Sequence, residues 1–218
     1  LVQKLEFIIL IPIISFGTLE SSFMETGIKQ SDINVLLVDD LTQNLEALKA
    51  LLKPLHVNLL TATCGKECIS TAIRKEVALI LLDVQMPILD GFETAELLRN
   101  NSETQNIPII FITAISKEEK YISQGYDTGC VDYILKPIDS DILVKKVKVF
   151  IELHKEKLNT EEYRKKYELI LESAGEGICG LDNTGVVDFS NPAAEKMLGL
   201  KKNELNGKLF SYAWKNDT

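Results

Sequence analysis

The sequence predicts an α/β fold: a five-stranded parallel sheet in the order 2-1-3-4-5, a long helix after it, and a partial α+β segment at the end. Three observations predict it. From Ile33 onward, short apolar runs of strand length alternate with amphipathic stretches of helix length, the mark of stacked βαβ units. The strand-length runs are apolar or β-branched almost throughout rather than alternating, as expected of a parallel sheet covered on both faces. Polar residues able to do chemistry stand just past several of these runs, at the edge where open α/β sheets hold ligands.

Taken in order, the strands are Asn34–Val38, Asn58–Ala62, Ala78–Leu82, Pro108–Ile112 and Val131–Leu135. Between them, helices are predicted over Thr42–Lys53, halted before Pro54, and over Gly65–Lys75, Gly91–Asn100 and Lys117–Gln124. After Pro137, apolar residues at Ile142, Leu143, Val147, Phe150, Ile151, Leu158, Ile170 and Leu171 read as one long helix reaching Ser173. Its second half is highly charged and its apolar spacing weakens after Ile151, which suggests a linker that pairs with a copy of itself as a coiled coil. The plainer alternative is a solvated helix and a flexible linker. From Glu172 a second pattern begins: a strand through Gly177-Ile178 and Gly180-Leu181, a turn at Asp182, a strand from Gly185-Val186-Val187, and a helix at Ala193–Leu198. The expected segments are 1–31, unassigned; 32–150, the α/β domain; 151–171, the linker; and 172–218, a partial domain.

Composition narrows the functional classes. With 218 residues, 45% hydrophobic and 26% charged, the chain is long enough for one large or two small globular units. A net charge of −8 argues against direct nucleic-acid binding, which draws on clustered Lys and Arg. Four cysteines, Cys64, Cys68, Cys130 and Cys179, are too scattered for a disulfide framework, so free thiols in a reducing compartment are expected. The apolar run Leu5–Phe16, broken by Glu6 and Pro12, falls short of the roughly 20 residues a membrane helix needs, and no small-residue cleavage site follows it. A cytoplasmic location away from the membrane is expected.

Asp39, Asp40 and Asp83 fall at the ends of the first and third strands, which are neighbours in a 2-1-3-4-5 sheet. Clustered carboxylates repel, so their coexistence requires a cation, and an all-oxygen set with room for water suits Mg²⁺. Lys136 brings a fixed positive charge at the end of the last strand, next to Pro137, and Thr113 a hydroxyl at the end of the fourth. Taken singly, each has a plain explanation as a helix cap, a solvated charge or a strand residue. Together they describe a nucleophilic oxygen, a divalent ion, a cation and a donor, which is what holding a phosphoryl group on a carboxylate requires.

These motifs carry a resemblance. Val38-Asp39-Asp40, Leu82-Asp83-Val84-Gln85-Met86-Pro87 through Asp90-Gly91, Thr113-Ala114 and Lys136-Pro137 make residues 33–150 similar to the receiver domain of two-component response regulators, a flavodoxin-like fold. The resemblance implies that Asp83 accepts a phosphoryl group from a sensor histidine kinase or phosphotransfer protein. It further implies that Asp40 binds Mg²⁺ directly, Asp39 mainly through water, and Gln85 through its backbone carbonyl. Lys136 and Thr113 would contact the acyl phosphate, and Tyr133 would be the aromatic switch that turns inward when Thr113 moves, remodelling the face of the fourth helix and fifth strand. Gln85 and Ile115 stand where the family tunes loss of the phosphoryl group. Residues 167–218 resemble the first half of a PAS sensor domain through Glu172-Ser173-Ala174-Gly175-Glu176-Gly177-Ile178, Leu181-Asp182, Gly185 and Phe189-Ser190-Asn191-Pro192-Ala193-Ala194. Too little of that domain is present to imply a ligand, and an exposed sheet edge is expected.

The implied function is a non-enzymatic signalling switch, relayed by the linker, with a homodimer through the linker helix as one assembly. Receiver–linker–PAS chains of this kind often end in a diguanylate cyclase or a kinase. Two other readings compete. A degenerate receiver would serve only as an interaction module, and an aspartyl-phosphate phosphatase would need an acid two residues after its nucleophile, where this chain has Gln85. His56, in a turn, and His154, on the charged helix, are read as non-catalytic.

Overall fold

In the computed structural model, the residues described are 8–12, 29–114 and 132–211. The chain divides into two compact units, Thr26–Asn159 and a second formed by Leu1–Glu25 with Thr160–Thr218. In the first, the strands are β1 (Asn34–Val38), β2 (Asn58–Ala62), β3 (Leu79–Asp83), β4 (Ile109–Thr113) and β5 (Asp132–Leu135). All pair in parallel, in the spatial order β2-β1-β3-β4-β5, which is the predicted 2-1-3-4-5 sheet. Helices α1 (Thr42–Leu52), α2 (Gly65–Arg74) and α3 (Gly91–Arg99) connect them. The helix expected at Lys117–Gln124, Ile115 and the start of the fifth strand at Val131 lie outside the described residues. The first helix ends at Leu52, one residue before the expected Lys53, and Pro54 sits in a short 3₁₀ turn, Lys53–Leu55, that follows directly.

The continuous apolar strands are explained by two cores, one on each face of the sheet. On one face Val35, Leu37, Leu79, Leu81, Ile110 and Ile112 pack with Leu45, Leu48 and Leu52 of α1 and with Leu143, Val147 and Ile151 of the long helix α4 (Ser140–Ser173). On the other, Leu36, Val38, Ile80, Leu82, Ile109 and Phe111 pack with Cys68 and Ala72 of α2 and Ala95 and Leu98 of α3. Alternate residues of one strand therefore serve opposite layers, and fully burying each aliphatic side chain contributes about 1.5–3 kcal/mol. Cys64, Cys68 and Cys179 are free thiols, and burial pushes the Cys68 thiol up to about 12, which keeps it protonated.

The second unit is a small sheet with one helix. Strands β6 (Gly177–Leu181) and β7 (Val187–Ser190) are antiparallel, and α5 (Pro192–Leu198) follows. Its anchor is Asn191, fully buried: Oδ1 accepts from the backbone N–H of Ile178 (2.8 Å) and Ala194 (2.9 Å), and Nδ2 donates to the carbonyls of Leu171 (3.1 Å) and Glu176 (2.8 Å). One side chain thus caps α5 and ties it to β6 and to the end of α4. The sheet has a third strand that the sequence pattern left unassigned. A strand at Ile8–Pro12, in the segment left unassigned, pairs in parallel with β6, and residues 207 and 208 hydrogen-bond to Val187 on the far side of β7. Pairing supplies partners for edge N–H and C=O groups that the sequence pattern left open.

Candidate functional site

The carboxyl ends of β1, β3 and β5 converge. Asp39 follows β1 directly, Asp83 is the last residue of β3, and their carboxylates with that of Asp40 all place an oxygen within 4.8 Å of one another. Asp39 and Asp83 are 1% and 4% exposed, whereas Asp40 is partly open to solvent. Lys136, just past β5, reaches between the two buried acids, with Nζ 3.3 Å from Asp39 Oδ2 and 3.2 Å from Asp83 Oδ1. The β4–β5 register fixes its approach, since its backbone N–H donates to the carbonyl of Thr113 at 2.8 Å.

The two buried aspartates are held differently. Asp39 is saturated: its oxygens accept from the Leu41 N–H (2.9 Å), from Asn44 Nδ2 (2.9 Å to each oxygen) and from Lys136. Asp83 Oδ1 is buried and accepts no hydrogen bond, the lysine lying beside it as an ion pair outside hydrogen-bonding geometry. Burial pushes the Asp83 carboxyl above the usual carboxylate range; Lys136 and the Gln85 N–H pull it back, and Asp39 pushes it further. A buried, under-coordinated carboxylate oxygen beside two other carboxylates fits a hard divalent cation with oxygen ligands, and a cation there would offset the repulsion.

A stability prediction follows from Asp83. Because the folded protein holds the Asp83 proton more tightly than the unfolded chain does, this group's contribution is fully present below the unfolded pKa and is lost as pH rises through the raised folded value. Without metal, Asp83→Asn should therefore be more stable than the parent by about 1–3 kcal/mol near neutrality. The gap should close as pH falls towards about 4. Urea unfolding at the two pH values checks this, and a gap that stays constant or widens in acid contradicts it.

The loop from β3 to α3 is built to keep Asp83 in place. Gly91 N–H donates to the Val84 carbonyl at 3.0 Å, and Asp90 opens α3 with a capping box, accepting from Glu93 N–H (2.8 Å) while donating its own N–H to the Glu93 carboxylate (3.0 Å). Gln85 is exposed at the start of this loop.

Of the remaining predicted residues, Thr113 is buried at the end of β4, one position beyond Ile112, which pairs with Asp83. Tyr133 is half-buried on β5, its ring 5.6 Å from that of Phe111 and its hydroxyl buried, so it lies in the core layer beneath the site rather than in the acidic cluster. His56 sits in a left-handed turn, and His154 lies 3.8 Å from Glu76 on the side of α4; neither belongs to the cluster.

Sequence reading missed Asn44 and the capping role of Asp90. Asp90 was legible as D-x-x-E ahead of a helix. Asn44 in the first turn after an acidic pair is a weaker signal, because its partner lies outside the helix. Asn44→Ala strips two of the hydrogen bonds on a buried carboxylate and should cost about 1–3 kcal/mol in denaturant unfolding. Asn44→Asp should cost more, since it adds a fourth acid to the cluster; an unchanged midpoint for both refutes the role.

An open parallel sheet with a buried acidic cluster and a bridging lysine places them at its carboxyl edge, where open α/β domains hold ligands. The response regulator receiver domain profile matches residues 35–148, and that of the PAS fold residues 165–218. The chain is 35% identical over 132 residues to the response regulator PleD of Caulobacter vibrioides, covering 61% of this chain and 28% of PleD. It is 31% identical over 113 residues to protein PilH of Pseudomonas aeruginosa, covering 52% of this chain and 93% of PilH. Among solved structures, the chemotaxis protein CheY4 of Vibrio cholerae matches with a TM-score of 0.51 and 27% identity, over 54% of this chain and 98% of that one. The receiver domain of the sensor histidine kinase PA1611 of Pseudomonas aeruginosa, with a magnesium ion coordinated in its active-site cleft, matches with a TM-score of 0.51 and 26% identity, over 55% and 98%. The chain belongs to the response regulator receiver domain family, with a PAS fold after the receiver. It spans little more than a quarter of the length of PleD. Among the described residues no helix is long and apolar enough to cross a membrane.

Proposed function

We propose that residues of the first unit are the phospho-accepting switch of a two-component relay, with Asp83 as the acceptor. A carboxylate oxygen of Asp83 attacks the phosphorus of a phosphohistidine on a sensor kinase or phosphotransfer protein. The new O–P bond forms as the donor's P–N bond breaks, and the electron pair stays on the imidazole. The observation that carries this reading is Asp83 Oδ1, buried and without a donor, beside the Lys136 ammonium that would meet the charge of the arriving group.

Asp40 and Asp83, with Asp39 through water and the Gln85 carbonyl, would hold Mg²⁺, which neutralises phosphoryl oxygens when bound. That Asp39 already accepts from Leu41, Asn44 and Lys136 supports an indirect role for it. Thr113 would donate to the acyl phosphate, and Tyr133, on the neighbouring strand opposite Phe111, would answer that movement by repacking against Phe111. The domain would act in the cytoplasm, passing its state along α4 to the PAS fold. Incubating the chain with a small phosphodonor such as acetyl phosphate and Mg²⁺ tests this: intact mass should rise by about 80 Da on one site, and only with Mg²⁺ present. A chain that gains no mass is a receiver used for interaction alone.

A further inference from the structure

Helix α1 opens beside the acidic cluster, and its first turn is built around Asp39. Leu41, which leads into the helix, brings no capping side chain; Asp39 Oδ1 accepts the Leu41 N–H instead. Asn44, in the same turn, reaches back out of the helix and forks across Asp39, its Nδ2 2.9 Å from each carboxylate oxygen. Lys136 Nζ completes the set, 3.3 Å from Oδ2. A carboxylate offers about four lone-pair sites. With two donors on each oxygen, Asp39 has none left.

Its two neighbours are held otherwise: Asp83 Oδ1 accepts no hydrogen bond, and Asp40 is partly open to solvent. Yet an oxygen of each of the three carboxylates lies within 4.8 Å of the others, so one cation is within reach of all. Free lone pairs, not distance, then decide which acids ligate it directly. To join them Asp39 would have to shed a donor at a position only 1% exposed, where water cannot take over the abandoned partner.

We propose that Asn44 is a positioning residue that sets the ligand number of the metal and, through it, the choice of ion. By filling two lone-pair sites of Asp39 it keeps that carboxylate out of the inner sphere. The seat left to Asp40 and Asp83 has room for several waters, which suits Mg²⁺, whereas a third inner carboxylate favours Ca²⁺, with its roughly six to eight oxygen ligands. The waters matter to the reaction, since a phosphoryl oxygen must displace one to reach the ion. The inference rests on the Mg²⁺ site of the proposed function but is read out by binding alone.

The ordinary effect of an outer hydrogen bond has the opposite sign: removing a partner that merely orients a ligand weakens metal binding about 10–100-fold. Asn44→Leu should strengthen it. Titration calorimetry on the unphosphorylated chain should show Mg²⁺ bound about threefold more tightly than by the parent, and Ca²⁺ about tenfold or more. Adding Asp39→Asn should abolish the gain, because the freed ligand is then gone. With acetyl phosphate at saturating Mg²⁺, Asn44→Leu should form the Asp83 adduct about tenfold more slowly than the parent. Asn44→Ser, whose hydroxyl has one proton to donate, should fall between, and it decides the matter if the leucine variant does not fold. A parent that binds Mg²⁺ and variants that bind it no more tightly overturn the role of Asn44 and leave the switch standing; so does a gain that survives Asp39→Asn. A chain that shows the gain yet takes up no phosphoryl group supports the role and overturns the switch. A parent that binds no Mg²⁺ overturns both.

Discussion

Asp83→Asn should take up no phosphorus at all: under conditions where the parent chain gains about 80 Da, the variant should show only its own mass. The substitution is nearly isosteric, so the β3 tip and its buried surroundings should survive it, and the variant should be more stable without metal for the reason given above. What it removes is the anionic oxygen. A primary amide does not attack phosphorus at a useful rate, and its neutral side chain also deprives the cluster of one of its three carboxylates. Asp39 is no substitute, because its oxygens are engaged by Leu41, Asn44 and Lys136. Asp40 is nearer solvent and lacks the buried position beside the lysine. Lys136→Met should behave differently, keeping the nucleophile but losing the cation, so the same adduct should form about 10²–10³-fold more slowly. An adduct of undiminished yield in Asp83→Asn would move the acceptor to another residue.

The residues at the strand tips were legible because a parallel sheet puts chemistry at a place that local pattern locates. Once the apolar runs ending at Val38, Leu82, Ile112 and Leu135 are recognised, Asp39, Asp83, Thr113 and Lys136 are simply what comes next. A boundary error of one residue does no harm, and Asp83 and Thr113 indeed belong to the ends of their strands rather than to the loops. Other features were hidden because they depend on partners far along the chain. Asn44 looks like an ordinary residue in a helical first turn until α1 brings its amide against Asp39. Asn191 reads as a helix cap, yet half of its hydrogen bonds run to carbonyls at Leu171 and Glu176. The strand Ile8–Pro12 has its partner at Gly177–Leu181, and nothing in the apolar run itself says whether it pairs or with what. Helix α4 was half visible: Ile142 and Ile170 were counted with Leu143, Val147 and Ile151 in one apolar pattern, whereas the structure exposes the first two and buries the other three.

Gly91→Ala is expected to damage fold and site together. Gly91 stands at the first position of α3, where the chain turns back against the end of β3. A β-carbon there would fall 2.8 Å from Val84 Cα and 3.1 Å from the Asp83 carbonyl carbon, and closer still to the Asp83 carbonyl oxygen. These are backbone atoms of a buried strand end, so no side chain can swing aside to relieve the clash. Either α3 moves outward, breaking the Gly91–Val84 hydrogen bond and the packing of Ala95 and Leu98, or the β3 tip shifts and carries the Asp83 carboxylate with it. Overpacking of this kind costs about 1–3 kcal/mol, and loss of the hydrogen bond adds to it. For a domain of this size that lowers the melting midpoint by roughly 4 °C or more. The second consequence separates this glycine from a merely structural one. Phosphorylation at temperatures where the variant is still folded should be slowed, because the attacking oxygen and Lys136 no longer hold their 3.2 Å relation. Thermal unfolding and the rate of adduct formation, measured on the same sample, check both. A variant that melts early yet accepts phosphorus at the parent rate would show that the β3 tip stays fixed while α3 alone gives way.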